Sequence, residues 1–96
     1  MPKDWCVYIA RCSDGLYYTG ITNDLTKRLK AHNSGKGAVF TAGRRPIQLV
    51  YSEEHHDKSS ARKREIQIKD WRREKKEVLI ASRLRLSGQG LNRASK

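Results

Sequence analysis

Residues 5–20 read WCVYIARCSDGLYYTG, and the loop at their centre decides the fold. Residues 5–12 and 16–21 are dense in β-branched and aromatic side chains, the composition of half-buried strands. Ser13-Asp14-Gly15 closes them into a hairpin. Asp14-Gly15 alone suits a two-residue turn, whereas Ser13-Asp14-Gly15 suits a three-residue type I turn with Gly15 in the left-handed region. The three-residue loop is the preferred reading. It pairs Cys12 with Leu16, Ala10 with Tyr18 and Tyr8 with Gly20. Tyr8 and Tyr18 then share a face as diagonal neighbours, about 7–8 Å apart at the backbone, over a shallow floor of Ala10 and Gly20. Val7, Ile9 and Ile21 gather on the other face as a core. A two-residue turn would part the phenols, because side chains alternate along each strand.

The chain that follows reads as helix, connection, strand, helix. Thr22 or Asn23 suits a helix cap, with Asp24 complementing the dipole of a helix DLTKRLKAHN that stops at Ser34-Gly35. Leu25 and Leu29 form its apolar stripe. Arg28 and His32, four residues apart, flank that stripe at the edge of the core. Residues 35–46 are a basic connection punctuated by Gly35, Gly37 and Gly43, with one helical turn expected around Ala38–Ala42. The glycines match no phosphate-loop pattern, since no Gly-Lys-Ser/Thr follows a strand here. Ile47–Ser52 reads as a third strand, with Ile47, Leu49 and Tyr51 on one face and Gln48 and Val50 on the other. Glu53 to Asp57 reads as a polar turn, and its adjacent His55 and His56 point apart, against a metal site. Asp57 or Ser59 caps a long basic helix, SSARKREIQIKDWRREKK, and a further helical stretch runs from Glu74 to Arg85. Glu65 has Ala61 and Ile68 as helical neighbours, so one carboxylate sits on the packing face of a basic helix. The plainer alternative pairs it at the surface with Arg62 or Lys69.

These elements predict an α+β domain over 1–83: a small three-stranded antiparallel sheet flanked by helices, in the order β-β-α-(α)-β-α-α. A basic, disordered tail is expected over 84–96, where no periodicity survives. Ninety-six residues fit one domain. Twenty-one Lys and Arg against ten Asp and Glu give a formal charge of +11, a self-repelling balance that points to a polyanionic partner. DNA is the leading candidate, with RNA also open. The basic positions placed to meet phosphates are Lys36, Arg44 and Arg45 in the connection, and Lys69, Arg72, Arg73, Lys75 and Lys76 on the basic helix. No stretch approaches the ~20 apolar residues of a membrane span, and the first twelve residues hold too short an apolar run for a signal peptide. The expectation is a cytoplasmic protein without a membrane partner. Cys6 and Cys12 lie six apart on one strand, too far for a disulfide, and are expected as reduced thiols.

Two phenols on one face, an arginine, a histidine and a helical carboxylate are a set suited to phosphodiester hydrolysis. That reaction needs a base for water, a cation for developing phosphorane charge and a divalent ion held by carboxylate. Cys6-Val7-Tyr8, Tyr18-Thr19-Gly20, Arg28, His32 and Glu65 resemble the GIY-YIG nuclease superfamily, and the chain to about Ala81 is similar to its small stand-alone bacterial members. The two tripeptides stand ten residues apart, and Arg28 follows Tyr18 by ten. The resemblance implies one Mg2+ or Mn2+ bound through Glu65, weakly until nucleic acid arrives. It implies that Tyr8 and Tyr18 activate and orient the water, that Arg28 stabilises the scissile phosphate and that His32 assists proton transfer or orientation. The expected activity is a metal-dependent DNA endonuclease, structure-selective or associated with repair, with a partner protein as one source of specificity. The alternative is a non-catalytic nucleic-acid-binding module. It rests on Ile21, where the repair-nuclease branch carries lysine, and on the lack of an Asn between Lys75 and Ala81.

Overall fold

The computed structural model describes residues 4–82. The expected tail over 84–96 lies outside the described residues. The hairpin forms with the three-residue loop: Tyr8 pairs with Gly20, Ala10 with Tyr18 and Arg11 with Tyr17. Cys12 N–H donates to Leu16 O at 2.8 Å and Gly15 N–H to Cys12 O at 2.9 Å. Gly15 takes φ +86°, where a side chain would clash with the backbone, so glycine is required there. The strands are β1 (Trp5–Arg11) and β2 (Tyr17–Thr22), and β3 (Gln48–His55) adds to the free edge of β1. The sheet order is β2-β1-β3, antiparallel throughout.

Helix α1 (Leu25–Asn33) is capped by Asp24 itself, whose carboxylate accepts from Lys27 N–H at 3.1 Å. Thr22 Oγ1 in turn accepts from Asp24 N–H, so Thr22 supports the cap without being it. Helix α2 is the single turn Val39–Ala42 foreseen in the glycine-rich connection. Helix α3 (Lys58–Lys69) starts at Asp57, which accepts from Ser60 N–H at 2.8 Å. It ends earlier than its basic pattern suggests. Asp70 closes it, and a new helix, α4, occupies 73–82. The expected basic helix is therefore two helices, with Arg73, Lys75 and Lys76 at the start of the second.

Each face of the sheet has its own core. Val7 and Ile9 pack with Tyr51, Ala61, Ile68 and Ile80 on one side; Tyr8, Ala10, Cys12 and Ile47 cluster on the other. One expectation fails here, because Tyr51 does not share a face with Ile47 and Leu49. Ile9 pairs with Tyr51 but Ala10 pairs with Leu49, so Val50 is an extra residue opposite their junction. That bulge breaks the two-residue alternation and turns Tyr51 towards α3. The strand also runs on to His55, through residues expected as a turn. There Glu53 becomes a tie between sheet and helix, accepting from Tyr51 Oη at 2.6 Å and from Arg64 Nε at 3.0 Å, with His55 Nε2 also 2.6 Å away. Burial works against its charge, but these hydrogen bonds hold the Glu53 carboxyl below its ordinary pKa.

Thr19 on β2 is 3% exposed, and its Oγ1 is buried without a hydrogen-bond partner. Such a hydroxyl costs its full desolvation. Thr19→Val, which keeps the shape and removes the hydroxyl, is expected to stabilise the fold by about 1 kcal/mol. Chemical denaturation reads this as a higher midpoint with an unchanged slope; a lower midpoint would mean that the hydroxyl is satisfied.

Candidate active site

The hairpin register puts Tyr8 and Tyr18 on the α1 face of the sheet, with ring centroids 6.2 Å apart. Gly20 lies directly opposite Tyr8 and leaves room for it: a Cβ there would come within 2.6 Å of Tyr8 Oη. Helix α1 brings Arg28 and His32 down onto the two rings. His32 Nε2 lies 2.8 Å from Tyr8 Oη, and Arg28 Nε donates to the same oxygen at 3.3 Å. The His32 ring also meets Tyr18 edge-on, with centroids 5.0 Å apart. Four of the five residues singled out from sequence thus form one contact cluster.

Burial divides that cluster into two layers. Tyr8 and His32 are both 0% exposed. Arg28 and Tyr18 are half-buried and form the surface that a substrate can reach. Burial pushes the Tyr8 phenol up to about 12, and this outweighs the opposing pull of the Arg28 hydrogen bond and charge. His32 is held below its ordinary value, first by burial and then by the Arg28 charge, so it is neutral at neutral pH. Arg28 moves the other way, its charged form favoured by the hydrogen bond to Tyr8.

Glu65 approaches from α3. It is 5% exposed, between the buried Ala61 and Ile68 turns, so it does occupy the packing face. It also carries the ion pairs of the plainer reading: Arg62 Nη1 lies 2.9 Å from one carboxylate oxygen and Lys69 Nζ 3.3 Å from the other. Lys69 Nζ stands 6.0 Å from the Tyr18 ring centroid, and the Glu65 charge bears on the Tyr8 phenol. The carboxylate therefore borders the phenol cluster. Among the described residues no three His, Cys, Asp or Glu side chains gather into a metal cage. A single buried carboxylate whose charge is balanced by half-exposed cationic heads suits a hard divalent ion that draws its other ligands from water and phosphate.

The eight basic residues expected at nucleic acid divide by their surroundings. Lys69, Lys76 and Arg73 border the grooves that run from Tyr18 past Tyr17 and Phe40. Arg73 also donates to Gly15 O and pairs with Glu77 at 3.0 Å. Arg44 is fastened to Asp14 at 3.0 Å and lies over the Phe40 ring at 4.1 Å. Arg45 donates to Ala42 O at 2.8 Å, which makes it a brace for the connection. Lys75 stacks over Trp71 at 4.4 Å, while Lys36 and Arg72 are exposed. Two site residues were not foreseen. Phe40 stacks on Tyr18 with an interplanar angle of 27°, and Thr41 Oγ1 lies 2.8 Å from His32 Nδ1. The only sequence signal for either was the helical turn in the connection.

The fold agrees with what the chain is similar to. Residues 4–77 match the family model of the GIY-YIG catalytic domain. UPF0213 proteins of Staphylococcus aureus strains Mu3 and Mu50 are each 51% identical over 77 residues, covering 80% of this chain and 94% of theirs. The solution NMR structure of a UPF0213 protein from Bacillus halodurans superposes with a TM-score of 0.54 at 44% identity, covering 81% of this chain and 83% of that one.

The Tyr8 shift makes a pH prediction with a definite sign. The fold favours the neutral phenol, so the contribution is fully present below pH 10 and is lost as pH rises towards about 12. Tyr8→Phe is therefore expected to lose less stability than wild type across that window, measured by denaturation at a series of pH values. Parallel curves would mean that Tyr8 titrates as an exposed phenol.

Proposed function

Because the chain belongs to the GIY-YIG catalytic domain family, a family of nucleases, we propose that it is a divalent-metal-dependent endonuclease that hydrolyses DNA, selecting structured or repair-associated substrates. The observation that carries this reading is the convergence of Tyr8, Tyr18, Arg28 and His32 in one cluster beside the Glu65 carboxylate.

Roles follow from which groups are reachable. Tyr18 and Arg28 form the accessible layer, so they meet the substrate. Tyr18 Oη orients the attacking water, which gives up a proton to solvent as its oxygen bonds to phosphorus and the bond to the leaving oxygen breaks. The leaving alkoxide takes a proton from solvent, so water and diester give monoester and alcohol. Arg28 faces the non-bridging oxygens, where negative charge builds in the transition state. Tyr8 and His32 lie behind it and hold its Nε end. Glu65 would hold the Mg2+ or Mn2+, which would supply Lewis-acid stabilisation of the phosphoryl oxygens. Lys69 and Arg62 balance the carboxylate otherwise.

The non-catalytic alternative draws on the same ion pairs. A Glu65 already neutralised by Arg62 and Lys69 needs no metal, and a basic surface binds DNA without cutting it. Supercoiled and branched DNA with Mg2+ or Mn2+ separates the two. Wild type is expected to cleave, and Glu65→Ala to lose on the order of 10²-fold or more in rate while retaining DNA binding. Equal residual cutting by both would remove the enzyme reading. Binding should depend on salt. Neutralising Arg72, Arg73, Lys75 and Lys76 together is expected to flatten the slope of log K against log salt by roughly one unit per lost phosphate contact. An unchanged slope would move the DNA surface away from α4.

A further inference from the structure

Behind the accessible layer, the polar groups of Tyr8, His32 and Thr41 are each committed to a partner, and the commitments have a direction. Thr41 on α2 is 0% exposed. Its hydroxyl donates to Ala38 O at 3.2 Å, one turn back. A hydroxyl has one proton, so towards His32 Nδ1, 2.8 Å away, Thr41 Oγ1 presents a lone pair. That contact is a hydrogen bond only if Nδ1 carries the proton. A neutral imidazole has one N–H, which leaves Nε2 bare and makes Tyr8 the donor across the 2.8 Å contact with Nε2. The opposite tautomer fails on Tyr8. Its oxygen would accept from both Nε2–H and Arg28 Nε–H, and its own proton would be aimed at nothing, in a side chain that water does not reach.

We propose that Thr41 is a positioning residue that locks His32 as the Nδ1–H tautomer, so that Tyr8 donates to His32 and keeps a lone pair for Arg28. The result is a one-way chain of donors: Arg28 Nε to Tyr8 Oη, Tyr8 Oη to His32 Nε2, His32 Nδ1 to Thr41 Oγ1, and Thr41 Oγ1 to the Ala38 carbonyl. Each bond in such a chain polarises the next. The chain is anchored at a backbone carbonyl and ends at the Arg28 guanidinium, which a hydrogen bond to Tyr18 also engages. Its catalytic consequence rests on the nuclease reading; the tautomer itself does not.

The test uses the full chain labelled with 15N-histidine and long-range 1H–15N correlation near neutral pH, with neither metal nor DNA present. Wild type is expected to show His32 protonated at Nδ1 and bare at Nε2. Thr41→Val, which removes the hydroxyl and little else, is expected to move His32 towards the Nε2–H form, and Thr41→Ser to restore Nδ1–H. In cleavage assays Thr41→Val should lower kcat on the order of 10²-fold with KM little changed, because a misaimed Arg28 is felt in the transition state. Thr41→Ser should recover most of it. A wild-type spectrum with Nε2–H or a doubly protonated ring overturns the proposal, as does a folded Thr41→Val that keeps the Nδ1–H form. If Thr41→Val does not fold, the wild-type spectrum alone decides. A protein that shows Nδ1–H but cuts nothing supports the hydrogen-bond assignment and removes the nuclease reading. One that cuts while showing Nε2–H overturns the assignment alone.

Discussion

A phenol taken wholly out of water must have both its donor and its acceptor used, and Tyr8 is such a phenol. Its two partners, Arg28 and His32, come from the same helix, one turn apart. That demand fixes how α1 sits on the sheet: slide the helix by one residue and either the guanidinium or the imidazole leaves the oxygen. His32 passes the constraint on to α2 through Thr41. The glycine-rich connection is therefore tied by a polar chain that begins in the central strand, beside the stacking of Phe40 on Tyr18.

On the other side of the sheet the arrangement is set by apolar burial and by one bulge. The extra residue at Val50 turns Tyr51 to the α3 face, where it packs with Ile9 and Ile68 and reaches Glu53 with its hydroxyl. Glu53 then holds Arg64 of α3. Arg64 and Glu65 are adjacent, so the side chain that ties α3 to β3 and the carboxylate held by Arg62 and Lys69 leave the helix about 100° apart.

Much of this was legible in the sequence. The hairpin register was readable because a Ser-Asp-Gly loop with glycine at its end has few conformations, and the alternation of tyrosines with small residues agreed with only one of them. Arg28 and His32 were readable from helical spacing, and Glu65 from its buried neighbours. What escaped was non-local. The bulge at Val50 exists because the strand must serve two cores, and a two-residue period cannot announce its own interruption. The break at Asp70 was hidden because Asp70 and Trp71 are only mildly unfavourable in a helix and the run 72–76 that follows is all good helix formers. Thr41 was unreadable because its partner is nine residues away, across a loop whose path the sequence left open. The raised pKa of Tyr8 is non-local in the same way, since burial, its largest cause, is not displayed by a sequence pattern.

The division into layers also bears on how a basic protein of this size handles its charge. Of the cations near the phenols, Arg28 is bound inward to Tyr8, while Lys69 is held by Glu65 and Arg44 by Asp14. Pairing of half-exposed groups contributes little to stability, since such pairs are screened and cost side-chain entropy. Its effect here is on geometry. Acidic partners keep these long side chains at the groove walls, and a polyanion entering the groove can exchange a weak partner for a stronger one at small cost. Arg28 has no such freedom, because its Nε is committed to Tyr8 at the buried end. Held lysines and arginines around the Tyr18 groove and one fixed guanidinium beside Tyr8 are the distribution that the proposed nuclease reading expects, with affinity and transition-state charge handled by different residues.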